Sequence, residues 1–318
     1  MSDVLTVRNL TVRYPNAPRP SVQGVSFTVP ARGSVALVGE SGSGKSTTAL
    51  AVTRLLDPAV EVTADEVSFE GRDLLRMGKK ELRALRRGGL GMVFQDPRAS
   101  WNPARTIERQ LLDGLRGAER AERRERLVAR MRRIGLDDPE RRMRDYPHHF
   151  SGGMLQRALL AGVLVHEPRL LIADEPTSAL DTTVQAELLA LIGQLRTEQG
   201  LSMLLISHDL GVVARMSDHV LVLYAGRIAE QGPTSTVLAQ PQHPYTRDLL
   251  AAIPRLHGPR KVPLQVGRVA EARTEGCPYA GRCRFATDRC RTETPAPRRV
   301  GGTEVACHLA PLPDAKAA

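Results

Sequence analysis

The stretch LVGESGSGKSTTAL, residues 37–50, sets glycines, hydroxyls and one lysine at a spacing suited to holding an anion. Gly39, Ser41, Gly42, Ser43, Gly44, Lys45, Ser46 and Thr47 lie within the pattern G-x-x-x-x-G-K-[ST] and its continuation. Glycines let backbone N–H groups turn inward around phosphate oxygens. Lys45 adds a mobile positive charge for β- and γ-phosphates, and the Ser46 hydroxyl can hold Mg²⁺. Val35 to Val38 read as a short buried strand before the loop. A helix opening at Lys45 would aim its positive dipole end at the same anion. The spacing predicts a site for a nucleoside triphosphate.

RLLIADEPTSALD, residues 169–181, supplies a complementary half. Leu170 to Ala173 form the apolar run of a buried parallel strand, with Asp174 at its carboxyl end, the edge where ligands of open α/β sheets gather. Asp174 is expected to hold Mg²⁺ through a water, and Glu175 to polarise an attacking water. In FSGGMLQRALL, Ser151, Gly152 and Gly153 precede an apolar-periodic helix and form a second helix start shaped for an anion. One nucleotide does not need two such sites. The economical reading is a composite site in which the second serves a nucleotide held by another copy or a relative.

Together these stretches resemble an ABC-type ATPase subunit over about residues 4–254. In that family the Ser-Gly-Gly stretch is the signature motif, reaching the γ-phosphate across a dimer interface. The resemblance gives Tyr14 in VRYP the aromatic face that stacks on adenine. It makes Gln95 in VFQDP the glutamine that senses Mg²⁺ and the attacking water and links to a membrane subunit. Asp181 in SALD then belongs to the loop that crosses the dimer, and His208 in LLISHDL is the switch histidine at the γ-phosphate. Phe150, Met154 and Leu155 depart from the commoner signature, but the Ser-Gly-Gly core is intact. The fold implied is α/β, a P-loop ABC-type nucleotide-binding domain. It has a RecA-like core sheet, an antiparallel β subdomain, a helical subdomain near 96–165 and a small cysteine-containing C-terminal extension.

The elements that must position these residues fit 318 residues, 42% hydrophobic and only 3% aromatic. Strands and turns alternate over about 1–90, helices dominate about 96–165, and alternation returns over 166–230. One phosphate loop without internal repeat predicts one nucleotide-binding domain over 1–254, which must pair to work, and an extension over 255–318. A helix is expected from near His243 to Pro254, a linker over 255–276, and a disordered end in APLPDAKAA. The longest apolar run, ALLAGVLV, falls far short of the roughly 18 residues a membrane span needs. No secretory pattern is visible at the start, so the expectation is a cytoplasmic chain. A net charge of +10 admits nucleic acid, a membrane surface or an acidic partner. RGAERAERRERLVARMRR, however, interleaves glutamates and carries an apolar stripe of Leu127, Met131 and Ile134, which favours a solvated helix face.

All four cysteines, Cys277, Cys283, Cys290 and Cys307, lie in the extension. In a reducing compartment clustered thiols more often bind metal than pair. The tight C-x2-C pairs typical of zinc are absent, yet four thiolates suit either zinc or a 4Fe–4S cluster, and spacing alone does not choose. His308 is a weak substitute ligand. The segment around His243 and the cysteine tail resemble the oligopeptide, dipeptide and nickel importer branch, and the tail's length resembles its peptide members. That resemblance implies a 4Fe–4S cluster, with zinc as alternative.

The expected function is therefore the ATP-hydrolysing subunit of a di- or oligopeptide importer, using ATP and Mg²⁺ at the cytoplasmic face of the cell membrane. Its expected partners are two permease subunits, a second ABC ATPase (related rather than identical) and, indirectly, an extracytoplasmic peptide-binding protein, with no nucleic acid. The alternatives are a soluble nucleic-acid-associated ABC ATPase, or the ATPase of a nickel or other small-solute importer. The sequence does not name the solute.

Overall fold

The computed structural model describes residues 3–115, 119–178, 180–252 and 275–312. The chain divides into two compact units: one of Met1–Leu5, Val29–Gly33 and Phe69–Leu205, the other of Thr6–Thr28, Ser34–Ser68 and Ile206–Ala318.

In the second unit, Ser34–Val38 is buried at every position, as its unbroken apolar run requires of a central parallel strand. It pairs in parallel with His219–Tyr224, Val35 against His219 and Val38 against Val222. His219–Tyr224 turns back through an antiparallel pairing with Arg227–Pro233. Two short strands of the cysteine extension continue the same sheet. Thr303–Val305 sets Val305 against Glu230 and Glu304 against Gln231, and Arg298–Val300 pairs with Thr303–Val305 in turn. The extension is thus built onto the sheet that carries the phosphate loop. Asp3–Arg13 alternates buried and exposed along much of its length, as a half-covered antiparallel strand should, and pairs with Glu61–Thr63.

In the first unit, Leu90–Val93 lies parallel to Leu170–Asp174, in register from Leu90–Leu170 to Val93–Ala173. Gly91 is required by packing, because a Cβ there would stand 2.5 Å from Val163 Cγ1 of the helix Gly152–Leu164. The helix Arg120–Arg133 buries Leu127, Val128 and Met131, and Ile134 follows at its end, so the expected apolar stripe is the packed face.

The arginines of that helix are largely engaged within the unit. Arg124 reaches Glu108 at 3.3 Å, Arg130 reaches Glu167 at 3.6 Å, and Arg126 donates to the Val165 carbonyl at 3.2 Å. Arg132 and Arg133 pair with Glu140 and Glu198. Exposed pairs of this kind add little stability each, but they lower the net field of a face that would otherwise attract nucleic acid. Near the end of the main chain, the helix Pro244–Ala251 starts one residue after its expected origin. The His243 ring caps it, Nδ1 accepting from the Tyr245 amide at 3.0 Å. Pro254, nearly all of the expected linker and residues 313–318 lie outside the described residues. Among the described residues no helix is long and apolar enough to cross a membrane.

Candidate functional site

The phosphate loop leaves the strand Ser34–Val38 and enters the helix Lys45–Val52. A Cβ on Gly39 would lie 2.2 Å from the Leu223 carbonyl oxygen, and one on Gly44 would lie 2.5 Å from the Ser21 carbonyl oxygen. Gly44 also caps the helix at φ 102°, a conformation open chiefly to glycine. These approaches explain why the pattern demands glycine at both ends of the loop. Lys45 is buried, and its Nζ donates to the carbonyls of Gly39 and Glu40, both at 2.9 Å, which folds the loop around the ammonium group. Ser43 Oγ is buried without a hydrogen-bond partner among the described residues. A buried hydroxyl left open in a phosphate-type loop is a donor that a phosphate oxygen can satisfy. Ser46 and Thr47 open the helix, Tyr14 follows directly on the strand Asp3–Arg13, and His208 sits just past Ser202–Ile206, all in the same unit as the loop.

The other sequence-derived residues belong to the first unit. Asp174 ends the strand Leu170–Asp174 and is buried, while Glu175 turns out of it with φ 46°. A left-handed glutamate is an uncommon backbone choice and fixes the direction in which its carboxylate leaves the strand. Gln95 Nε2 donates to Glu175 Oε2 at 2.8 Å. Two residues that the resemblance assigns to one water and one Mg²⁺ are therefore in contact. Ser151 caps the helix Gly152–Leu164, its hydroxyl accepting from the Met154 amide at 3.2 Å. Asp181 caps Thr182–Gln199 by accepting from Thr183 and Val184 at 3.1 and 2.9 Å. Gly153 meets Val184 and Leu180 within 3.5 Å of where a Cβ would stand, so Ser-Gly-Gly and SALD are neighbours.

The cysteines behave differently. All four line one small cavity, together with His243, Tyr279 and His308. None forms a disulfide. Burial pushes the Cys277 thiol up to about 11 and raises those of Cys283 and Cys307, so the folded tail favours neutral thiols over thiolates. Among the described residues no group of three or more His, Cys, Asp or Glu side chains is arranged to hold a metal ion. The donor types fit a thiophilic metal, but the arrangement gives no support to the expected 4Fe–4S cluster, nor to zinc. His308 is engaged elsewhere, its Nε2 lying 2.9 Å from the Glu293 carbonyl.

Three features of the tail were not legible beforehand. Glu230 is fully buried and accepts from the Gln242 and His243 amides at 2.8 and 2.9 Å and from the Thr303 hydroxyl at 3.2 Å, tying the extension to the sheet. Tyr279 packs on Tyr224 and Tyr245 at centroid distances of 5.1 and 5.4 Å, and its hydroxyl bonds Asp248. Arg282 binds Glu40 of the phosphate loop. The one available signal was Glu40 itself, an acid inside a loop meant for phosphate.

The ABC transporter family matches residues 22–178, and the C-terminal region of oligopeptide/dipeptide transporters matches residues 229–290. The dipeptide transport ATP-binding protein DppD of Escherichia coli is 38% identical over 98% of this chain and 98% of its own length. A probable peptide ABC transporter ATP-binding protein of Sinorhizobium fredii is 42% identical over 92% of this chain and 90% of its own. Among solved structures, the dimeric post-hydrolysis state of the ATP-binding cassette MJ0796 with ADP and Pi has a TM-score of 0.65 at 26% identity. It covers 72% of this chain and 98% of that one. With near full-length relatives and both family regions in order, the chain belongs to the ABC transporter ATPases and carries the C-terminal region of their oligopeptide/dipeptide branch.

Proposed function

We propose that this ATPase powers import of di- or oligopeptides through a pair of membrane permeases, docked on their cytoplasmic face. The observation that carries the reading is the near full-length relationship to a dipeptide transport ATP-binding protein, tail included. Its partners are two permease subunits, a second and related ABC ATPase, and indirectly an extracytoplasmic peptide-binding protein. The engaged arginines of Arg120–Arg133 weigh against the nucleic-acid alternative.

In the proposed mechanism Tyr14 stacks on adenine and the phosphate-loop amides, with Lys45, bind the β- and γ-phosphates. Ser46, Gln95 and Asp174 would hold Mg²⁺, whose chemistry is to neutralise charge on the phosphate oxygens. Glu175, steered by its left-handed backbone and its bond from Gln95, accepts the proton of the attacking water. His208 contacts the γ-phosphate. Ser151, Gly152 and Gly153, beside Asp181, present a helix start to the nucleotide of the opposing subunit, so that closure completes each site. Domain limits of 1–254 and 255–318, with helices near 96–165 as a subdomain, are part of this reading.

A 4Fe–4S cluster in the tail stays within the proposal on two grounds: four cysteines share one cavity, and the family resemblance implies one. Anaerobically purified protein should then be brown and contain about four iron atoms per chain. Colourless, iron-free protein with an ordered tail overturns that part.

The transport reading is tested by reconstituting the chain with its permeases and measuring uptake of labelled dipeptides. ATP-dependent peptide uptake is the expected result. Uptake of nickel but not peptide, or salt-sensitive binding to RNA or DNA without permease association, would overturn it.

A further inference from the structure

Glu40 stands directly after Gly39, an acid within the loop that is to receive the phosphates of ATP. An uncompensated carboxylate there repels the ligand. The structure supplies compensation from the C-terminal extension. Arg282 donates through Nη1 to Glu40 Oε2 at 2.8 Å and through Nη2 to Oε1 at 2.9 Å, a bidentate pair with 13% and 30% of the two side chains exposed. Planar two-point contact of this kind fixes direction as well as charge.

The same residue is held at two more points. Its backbone amide donates to the Tyr245 hydroxyl at 2.9 Å, and its carbonyl accepts from Lys45 Nζ at 2.9 Å. The Arg282 guanidinium lies over the Tyr224 and Tyr279 rings at 5.9 and 5.6 Å, and Tyr224 and Tyr245 are themselves 4.6 Å apart. Four bonds and an aromatic platform thus converge on one loop residue. One side of the clamp comes from the helix Pro244–Ala251, the other from the segment between Cys277 and Cys283. An anchor serving only to attach the tail could have ended on any surface carboxylate. This one ends on the residue next to the glycine that starts the phosphate loop.

We propose that Arg282 is a positioning residue for nucleotide binding: from the C-terminal extension it clamps and neutralises Glu40, so that the phosphate loop keeps its anion-receiving shape. The proposal concerns the nucleotide site of an ABC ATPase and stands whatever solute the transporter carries.

The test uses the full-length chain and reads ATP affinity with a fluorescent ATP analogue, alongside KM and kcat for ATP in the assembled transporter. Arg282→Ala should weaken ATP affinity and raise KM about tenfold, the order expected for losing a charge-assisted bond to a half-buried partner, with kcat at saturating ATP changed far less. Adding Glu40→Gln to Arg282→Ala should restore most of the lost affinity, because the stranded negative charge is gone. Should Arg282→Ala not fold, Arg282→Gln with and without Glu40→Gln carries the same comparison. Unchanged ATP affinity on losing the arginine overturns the proposal. So does a loss that Glu40→Gln fails to restore, which is the pattern of a tail anchor alone.

Discussion

The phosphate loop and the cysteine tail are both short stretches whose residue types advertise chemistry, yet they are held in shape by different means. The loop is fixed mainly by its own glycines and lysine, with an added hold on Glu40 from Arg282 of the tail. Gly39 and Gly44 each pass so close to a carbonyl that no side chain fits, and Lys45 folds the loop around its own ammonium. The tail is fixed from without, by the buried Glu230, by Tyr279 against Tyr224, and by strands pairing onto Arg227–Pro233. Its four thiols share a cavity without converging as ligands. Backbone sterics specify most of the first region, which the tail then holds at Glu40, whereas the second borrows its order from the sheet it is attached to.

The sharpest way to separate the two regions is to remove the chemistry and leave the frame. Glu175→Gln keeps the bond to Gln95 within reach and does not touch the tail. It should leave ATP binding near normal while lowering hydrolysis at least ~10²-fold, the loss typical of a general base. Steady-state turnover decides this, and near-normal turnover in the variant means that another group accepts the proton.

The tail can be perturbed at its own buried anchor. Burial pushes the Glu230 carboxyl above the ordinary glutamate range, against the amide hydrogen bonds from Gln242 and His243 that pull it down. A carboxyl whose folded pKa is raised lends stability that is complete below about 4.5 and drains away as pH rises through the folded value, by about 1.4 kcal/mol for each unit of displacement. Relative to Glu230→Gln, the native chain should therefore lose stability as pH rises above about 4.5. Urea unfolding of both chains across that range measures the difference. A difference constant with pH removes the buried carboxyl as its source.

The smallest expected effect sharpens the account of the loop. Tyr14→Ala removes a ring face worth ~1 kcal/mol by analogy with aromatic pairs. ATP affinity should fall several-fold with hydrolysis at saturation little changed. Unaltered affinity would make Tyr14 an ordinary residue at a strand end.

What could be read in the sequence follows the same division. The phosphate loop, the Ser151 cap and the strand ending at Asp174 were legible because each depends on residues close in sequence: glycines at forced turns, a hydroxyl before a helix, an unbroken apolar run. The Gln95–Glu175 contact joins residues 80 apart and was suggested by resemblance alone. Nothing local announces that Arg282 meets Glu40 across 242 residues, or that Thr303–Val305 extends the sheet, because a strand of three residues has no period to detect. The cysteines show the limit most plainly. Their types and count were visible, but whether four thiols converge is a property of the packed tail.

The account's central claim is that one subunit's Ser-Gly-Gly helix start completes the nucleotide site of another. The most direct measurement compares ATP binding by the isolated chain with turnover in the assembled transporter for Ser151→Arg, which places a bulky side chain where the opposing phosphate must lie. The account predicts native ATP affinity in the isolated chain and turnover reduced to background in the assembly. Loss of ATP affinity in the isolated chain would show that Ser151 serves its own nucleotide, and would contradict the composite site.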